Sequence, residues 1–105
     1  MSLVTIRPQA TLDVIDLAEY IAQRNVPAGR RFLDAFEQTT QLLCVVPTIG
    51  SLCRARSRRM KGVRAVTIRG FRNFLVLYRA TRDKVDVLRV VYGGRDLGPI
   101  IDEAR

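Results

Sequence analysis

Apolar and polar positions alternate along the chain with two different periods. Over residues 9–24, Val14, Leu17, Ala18 and Ile21 recur at helical spacing, Ile15 and Ala22 flank them, and Asp13, Asp16 and Gln23 fall opposite. Asp13 and Asp16 also sit where carboxylates complement a helix dipole. Arg24-Asn25-Val26-Pro27 breaks the pattern, and Pro27 suits a new helix start. Over residues 28–46, Ala28, Phe32, Ala35, Phe36, Thr39, Leu43 and Val46 line one face, while Arg30, Arg31, Asp34, Glu37, Gln38 and Gln41 take the other. Pro47 ends this second helix. So short a connection requires the two helices to run antiparallel.

Beyond a loop at residues 47–61 the period changes. Residues 62–69, 72–80 and 84–92 are rich in Val, Ile, Leu, Phe and Tyr, with Gly70 and then Thr81-Arg82-Asp83-Lys84 between them. Such runs and separators predict consecutive hairpins. Phe74-Leu75-Val76-Leu77-Tyr78 is apolar on both faces, which predicts a central or doubly covered strand. Val4-Thr5-Ile6 forms a short opening strand, broken by Arg7-Pro8, and residues 96–104 can form a short terminal helix. The fold class is therefore α+β. An N-terminal strand and an antiparallel helical hairpin pack on a three- to four-stranded, mainly antiparallel sheet. The 105 residues make one domain, with the second helix and the middle strand supplying most of the core. Phe36 is expected there, and Phe74, Phe71 and Tyr78 from the strands.

Composition narrows the chemistry. No apolar run reaches the roughly 18–20 residues of a membrane span, and Met1-Ser2-Leu3-Val4 does not open like a secretory signal. A cytoplasmic protein without a membrane role is expected. Cys44 and Cys53 are expected to be reduced, one within a helix and one in the loop after it. With no histidine, the commonest general base and the commonest zinc ligand are both missing, and no metal or other cofactor is implied.

Charge adds the strongest clue. The net charge is +8, and the cations are arginine apart from Lys61 and Lys84. Arginine favours planar, bidentate contact with phosphate or carboxylate, so an acidic partner is expected. From Arg54 to Arg72, the cations Arg54, Arg56, Arg58, Arg59, Lys61, Arg64, Arg69 and Arg72 meet no acid, and Arg79, Arg82, Arg89 and Arg95 follow. Each alone can be a solvated surface residue. Together they repel one another unless an anion faces them. That anion can be a nucleic-acid backbone or an acidic protein segment that folds on binding; residue types alone leave both open. Aromatic interleaving of the kind that stacks bases is thin.

Several stretches, in order, resemble the RelE/ParE superfamily of type II toxins, and its ParE branch more than its RelE branch. They are Arg7-Pro8, Glu19-Tyr20-Ile21-Ala22, Arg31-Phe32, Pro47 to Gly50, Gly62-Val63-Arg64, Phe74-Leu75-Val76-Leu77-Tyr78-Arg79, and Val90-Val91-Tyr92-Gly93-Gly94-Arg95-Asp96-Leu97. The last is the most specific. The resemblance implies the toxin of a bicistronic toxin–antitoxin (plasmid stabilisation) module. Its partner would be a small DNA-binding antitoxin whose acidic tail covers the helices and sheet.

The two branches imply different targets. RelE-like toxins cut mRNA on the ribosome with cationic and proton-transferring side chains on the sheet and C-terminal segment. ParE-like toxins poison DNA gyrase. Arg95 matches a RelE-type arginine, but Leu75 stands where the middle-strand arginine would be, and Ile101 lies near the position of the C-terminal tyrosine. Gyrase inhibition with no catalytic residue is therefore the expectation. The antitoxin- or target-binding candidates are Arg54, Arg56, Arg58, Arg59, Arg64, Arg79 and Arg95. The alternative is a ribosome-dependent mRNA endoribonuclease, for which Arg64, Arg72, Arg89 and Arg95 are the catalytic candidates. A non-toxic nucleic-acid-binding module is a third reading.

Overall fold

The computed structural model describes residues 1–54 and 58–93, apart from the Arg59 side chain. Strand β1 (Leu3–Ile6) leads into α1 (Pro8–Ala22) and α2 (Val26–Val45), then β2 (Ser51–Leu52), a 3-10 turn at Arg58–Met60, β3 (Val63–Ile68), β4 (Phe71–Thr81) and β5 (Lys84–Tyr92). The strands form a single five-stranded sheet in the order β1-β5-β4-β3-β2. β1 runs parallel to β5, and every other pair is antiparallel. The α+β architecture follows the sequence pattern. The sheet gains a strand beyond the three to four expected, because two residues of the 47–61 loop, Ser51 and Leu52, pair with Ala65 and Arg64. The expected terminal helix at 96–104 lies outside the described residues.

Local chemistry places the helices. Extended Arg7 precedes Pro8 at the start of α1. At α2 the Asn25 side chain accepts the Ala28 N–H at 3.0 Å, satisfying one of the amide groups a helix start leaves open. The helices approach closely at Gly29, where a Cβ would sit 2.8 Å from that of Ala22 and 2.9 Å from the Ala18 carbonyl oxygen.

β4 is the middle strand, and both its faces are covered. On the helix side, Val76 and Tyr78 pack with Phe32, Ala35, Phe36, Leu43, Val14 and strand residues Ile68, Val85 and Val87. Phe32 meets the rings of Phe71 and Phe74 edge-on, at centroid distances of 5.2 and 5.3 Å. On the far side, Leu77 packs with Met60, Val63, Leu88 and Val91. Leu88 reaches that face through a bulge: Leu77 pairs with Arg89 and Tyr78 with Val87, so Leu88 is the extra residue of β5.

Two placements differ from the pattern-based expectation. Asp13 does not face solvent from α1 and does not serve the helix start, whose first turn holds no acid; it turns onto the bulged strand. Val46 is exposed because α2 has already ended. Cys44 lies within α2 as expected, half-buried, with its thiol donating to the Ser2 carbonyl at 3.0 Å.

Candidate partner-binding surface

The described arginines divide by what their guanidinium groups meet. Arg89 donates through Nε to Asp13 Oδ2 at 2.7 Å and through Nη2 to Asp13 Oδ1 at 3.0 Å, a forked charge-assisted pair. Only 14% of the Arg89 side chain and 10% of the Asp13 side chain reach solvent. The same carboxylate accepts the Val90 N–H at 3.0 Å. Beyond Ile6, β1 no longer runs alongside β5, and the bulge disturbs the ladder there. Asp13 thus supplies an acceptor to a backbone donor that the sheet leaves open.

Arg64 is held on the opposite side of β4. Its Nη1 donates to the Gly50 carbonyl at 2.7 Å and to that of Thr48 at 3.3 Å. Gly50 is also the donor to the buried Tyr78 hydroxyl, at 2.9 Å. A Cβ at position 50 would lie 2.7 Å from that hydroxyl oxygen, so glycine is what lets the loop close over the sheet. Burial pushes the Tyr78 phenol above its ordinary pKa, while the Gly50 N–H and the positive charge of Arg64 oppose that rise. Burial likewise raises the Cys53 thiol, which makes it less nucleophilic.

Two further arginines are bound within the fold. Arg79 Nε donates to the Lys61 carbonyl at 3.3 Å, and Arg7 forks onto Asp86, with Nη2 to Oδ2 at 3.0 Å. The remaining described cations of the belt, Arg54, Arg58, Lys61, Arg69 and Arg72, have exposed side chains, as does Arg82 in the β4–β5 turn. Arg56 and Arg95 lie outside the described residues, as does the side chain of Arg59.

The catalytic candidates are therefore not gathered into one cluster as far as they are described. Arg64 stands opposite Tyr78 and Arg89 opposite Leu77, on the two strands flanking β4. Their side chains draw apart, one to the loop before β2 and the other to α1. Arg72 is exposed near the far end of β4, five residues from Leu77, or about 17 Å along a strand. Among the described residues no group of Cys, Asp or Glu is placed to hold a metal ion, and no described helix is long and apolar enough to cross a membrane.

A second feature escaped the sequence reading altogether. The side of the molecule between α2 and β3 is hollow. One cavity of about 410 Å3 is lined by Arg31, Asp34, Ala35, Gln38, Arg69 and Phe71 among others. Another of about 350 Å3 is lined by Gln38, Thr39, Leu42, Val66, Thr67 and Arg69. Gln38 and Arg69 line both, so the two adjoin along one grooved face. Arg31 and Arg69 are spaced like any surface arginine, so only the fold reveals that they line the same cavity.

A family model of the ParE toxin of the type II toxin–antitoxin system parDE matches residues 4–97. The chain belongs to the ParE toxin family. No curated protein matches the toxin's sequence. Among solved structures, a chain of the chromosomal ParDE toxin–antitoxin system from P. aeruginosa is similar at a TM-score of 0.60 and 16% identity, covering 88% of the toxin and 96% of that chain. At that identity the likeness concerns the fold, and it agrees with the layered helix-on-sheet arrangement described above. Membership of the family also implies an antitoxin partner.

Proposed function

We propose that the toxin inhibits DNA gyrase and that a cognate antitoxin neutralises it, so that free toxin stops replication when the antitoxin is lost. Its site of action is then the cytoplasm, and it stabilises the plasmid or chromosomal segment that carries the pair. The observation that carries this reading is the occupation of Arg64 and Arg89 by acceptors of the toxin itself. A ribonuclease needs cations poised over a scissile phosphate and a group to move a proton. Here two of the candidate cations already have partners on opposite sides of β4, and the sequence holds no histidine. Inhibition by binding requires no such cluster.

In this reading the exposed cations Arg54 and Arg58, with Arg56, Arg59 and Arg95, meet carboxylates of the antitoxin or the surface of gyrase. Arg64 and Arg79 act one step back by holding the loop that carries the belt. The test sets purified toxin against gyrase in a supercoiling and DNA-cleavage assay, beside ribosomes programmed with mRNA. Trapped gyrase–DNA breaks with intact mRNA are expected. Cut mRNA with unaffected gyrase would replace this reading with the ribonuclease one, leaving Arg72 and Arg95 as the first catalytic candidates to test.

A further inference from the structure

The sheet ends on two unlike strands. β2, at one rim, is two residues long and leads into the basic belt. β1, at the other rim, is Leu3-Val4-Thr5-Ile6. It holds no charge, proline or bulge, the devices that keep an edge strand from pairing with another chain. Alternate residues of a strand turn their backbone groups to the same neighbour. Leu3 N–H donates to the Asp83 carbonyl at 2.8 Å and Arg7 N–H to that of Val87 at 3.0 Å, so Leu3, Thr5 and Arg7 face β5. Val4 and Ile6 therefore turn their N–H and C=O groups outward, where the sheet has no further strand among the described residues. Apolar surface accompanies this edge, with 65% of Leu3 and 40% of Ile6 exposed.

Charge around β1 is unlike that of the chain as a whole. Arg7 is paired with Asp86, and Lys84 follows Asp83 at the start of β5, so this edge is balanced although the chain carries +8. The arginines of β3 lie three strands away, roughly 14 Å at sheet spacing, and salt screens charge over about 8 Å. An acidic segment or a phosphate chain gains nothing from such an edge. An uncharged strand gains hydrogen bonds and apolar cover together.

We infer that β1 pairs with β1 of a second copy of this chain, antiparallel about a twofold axis at Thr5, so that the two sheets join into one. The spacing of the open groups is self-complementary. Val4 of each copy exchanges both backbone bonds with Ile6 of the other. Thr5 faces Thr5 between them as a non-hydrogen-bonded pair, with Cα atoms about 4.5 Å apart. Directly opposed residues share a face, so Ile6 covers the half-buried Val4 of the other copy on the helix side. On the far side Leu3 lies along the aliphatic stem of the other copy's Arg7. The pairing stops there. Ser2 is bound to α2, its N–H donating to the Cys44 carbonyl at 2.9 Å and its carbonyl accepting the Cys44 thiol, and the opposing Pro8 has no N–H. A twofold contact closes on itself, so the product is a dimer and not a fibre. Both basic belts stay free at its outer rims. The inference does not depend on what the toxin inhibits.

The test is made on the full-length toxin. So short an interface belongs at the weak end of specific contacts, and sedimentation equilibrium follows association between about 1 and 500 μM. The wild type is compared with Ile6→Lys, which sets a charge on the edge, and with Leu12→Lys, which makes the same change at an exposed position of α1. A reversible monomer–dimer equilibrium is expected for the wild type. Ile6→Lys, its folding checked by thermal unfolding, should dimerise at least about tenfold more weakly, and Leu12→Lys within about twofold of the wild type. A second measurement does not need Ile6→Lys to fold. Thr5→Cys, in a chain with Cys44→Ser and Cys53→Ser, should oxidise to a covalent dimer, because facing residues at the axis lie within disulfide reach, whereas the chain with the two serines alone should not. A wild type that stays monomeric throughout would overturn the inference. So would a dimer that Ile6→Lys leaves unchanged or Leu12→Lys weakens equally, since the contact would then lie on another surface. Val4 and Ile6 amides protected from hydrogen exchange by added antitoxin, but not by raising the toxin concentration, would give the edge to the antitoxin and overturn it likewise.

Discussion

The two sides of the sheet treat arginine in opposite ways. Along β5 the structure is closed. β1 pairs with it, α1 lies over it, and where the ladder ends Asp13 accepts both the Arg89 guanidinium and the Val90 N–H. Along β3 the structure is open. A two-residue strand covers part of the edge, and the groove beyond it leaves Arg31 and Arg69 facing solvent. Positive charge on its own therefore does not mark a binding surface. A buried arginine with acceptors inside the chain belongs to the fold, and an exposed one beside an unfinished edge is available to a partner.

This contrast ranks the effects of mutation. The largest should come from Asp13→Ala on the closed side, which strands a largely buried guanidinium and a backbone donor together. A loss of about 3–5 kcal/mol is expected from urea unfolding, and a loss under about 1 kcal/mol would show that solvent reaches the pair freely. Tyr78→Phe, at the seam of the two sides, should cost about 1–3 kcal/mol by leaving the Gly50 N–H without its acceptor.

The same tyrosine gives a dependence on pH. Because burial raises the Tyr78 pKa, the folded toxin keeps a proton that the unfolded chain releases. Its contribution is intact below the ordinary phenol value of about 10 and falls as pH rises beyond it. The alkaline decline in melting temperature should be shallower in Tyr78→Phe, and an identical slope in both proteins would remove Tyr78 as a cause. Smaller still is Arg7→Ala. That pair is more open, with 35% of the Arg7 and 28% of the Asp86 side chain exposed, and it should cost about 0.2–1 kcal/mol. The least effect belongs to Arg69→Ser on the open side, expected within about 0.5 kcal/mol of the wild type. A clear destabilisation there would show that Arg69 holds the fold after all.

The sequence discloses these features unequally, for physical reasons. Helical spacing places Phe32, Ala35, Phe36 and Leu43 correctly because each faces one continuous core. The doubly apolar run at Phe74 to Tyr78 identifies the central strand because burial on both faces removes the alternation. Asp13 is misplaced by the same logic. It falls on the polar side of α1, and the strand bulge that draws it inward has no counterpart in residue periodicity. Arg64 and Arg69 look alike within one basic run. They part company only because the Thr48 and Gly50 carbonyls arrive beside Arg64. Gly50 was visible in the sequence, but its need to pass close to Tyr78 was not. β2 is too short for any pattern to announce, and with it the open edge went unseen.

The central claim is that Arg64 and Arg89 serve the fold while the toxin acts by binding. Asp13→Leu/Arg89→Met tests it most directly, because removing both charges avoids the isolated ion that a single substitution leaves. With its folding verified by thermal unfolding, the double variant is expressed without antitoxin beside the wild type. It should arrest growth as the wild type does. A variant that folds normally but no longer arrests growth would contradict the account and return Arg89 to the functional site.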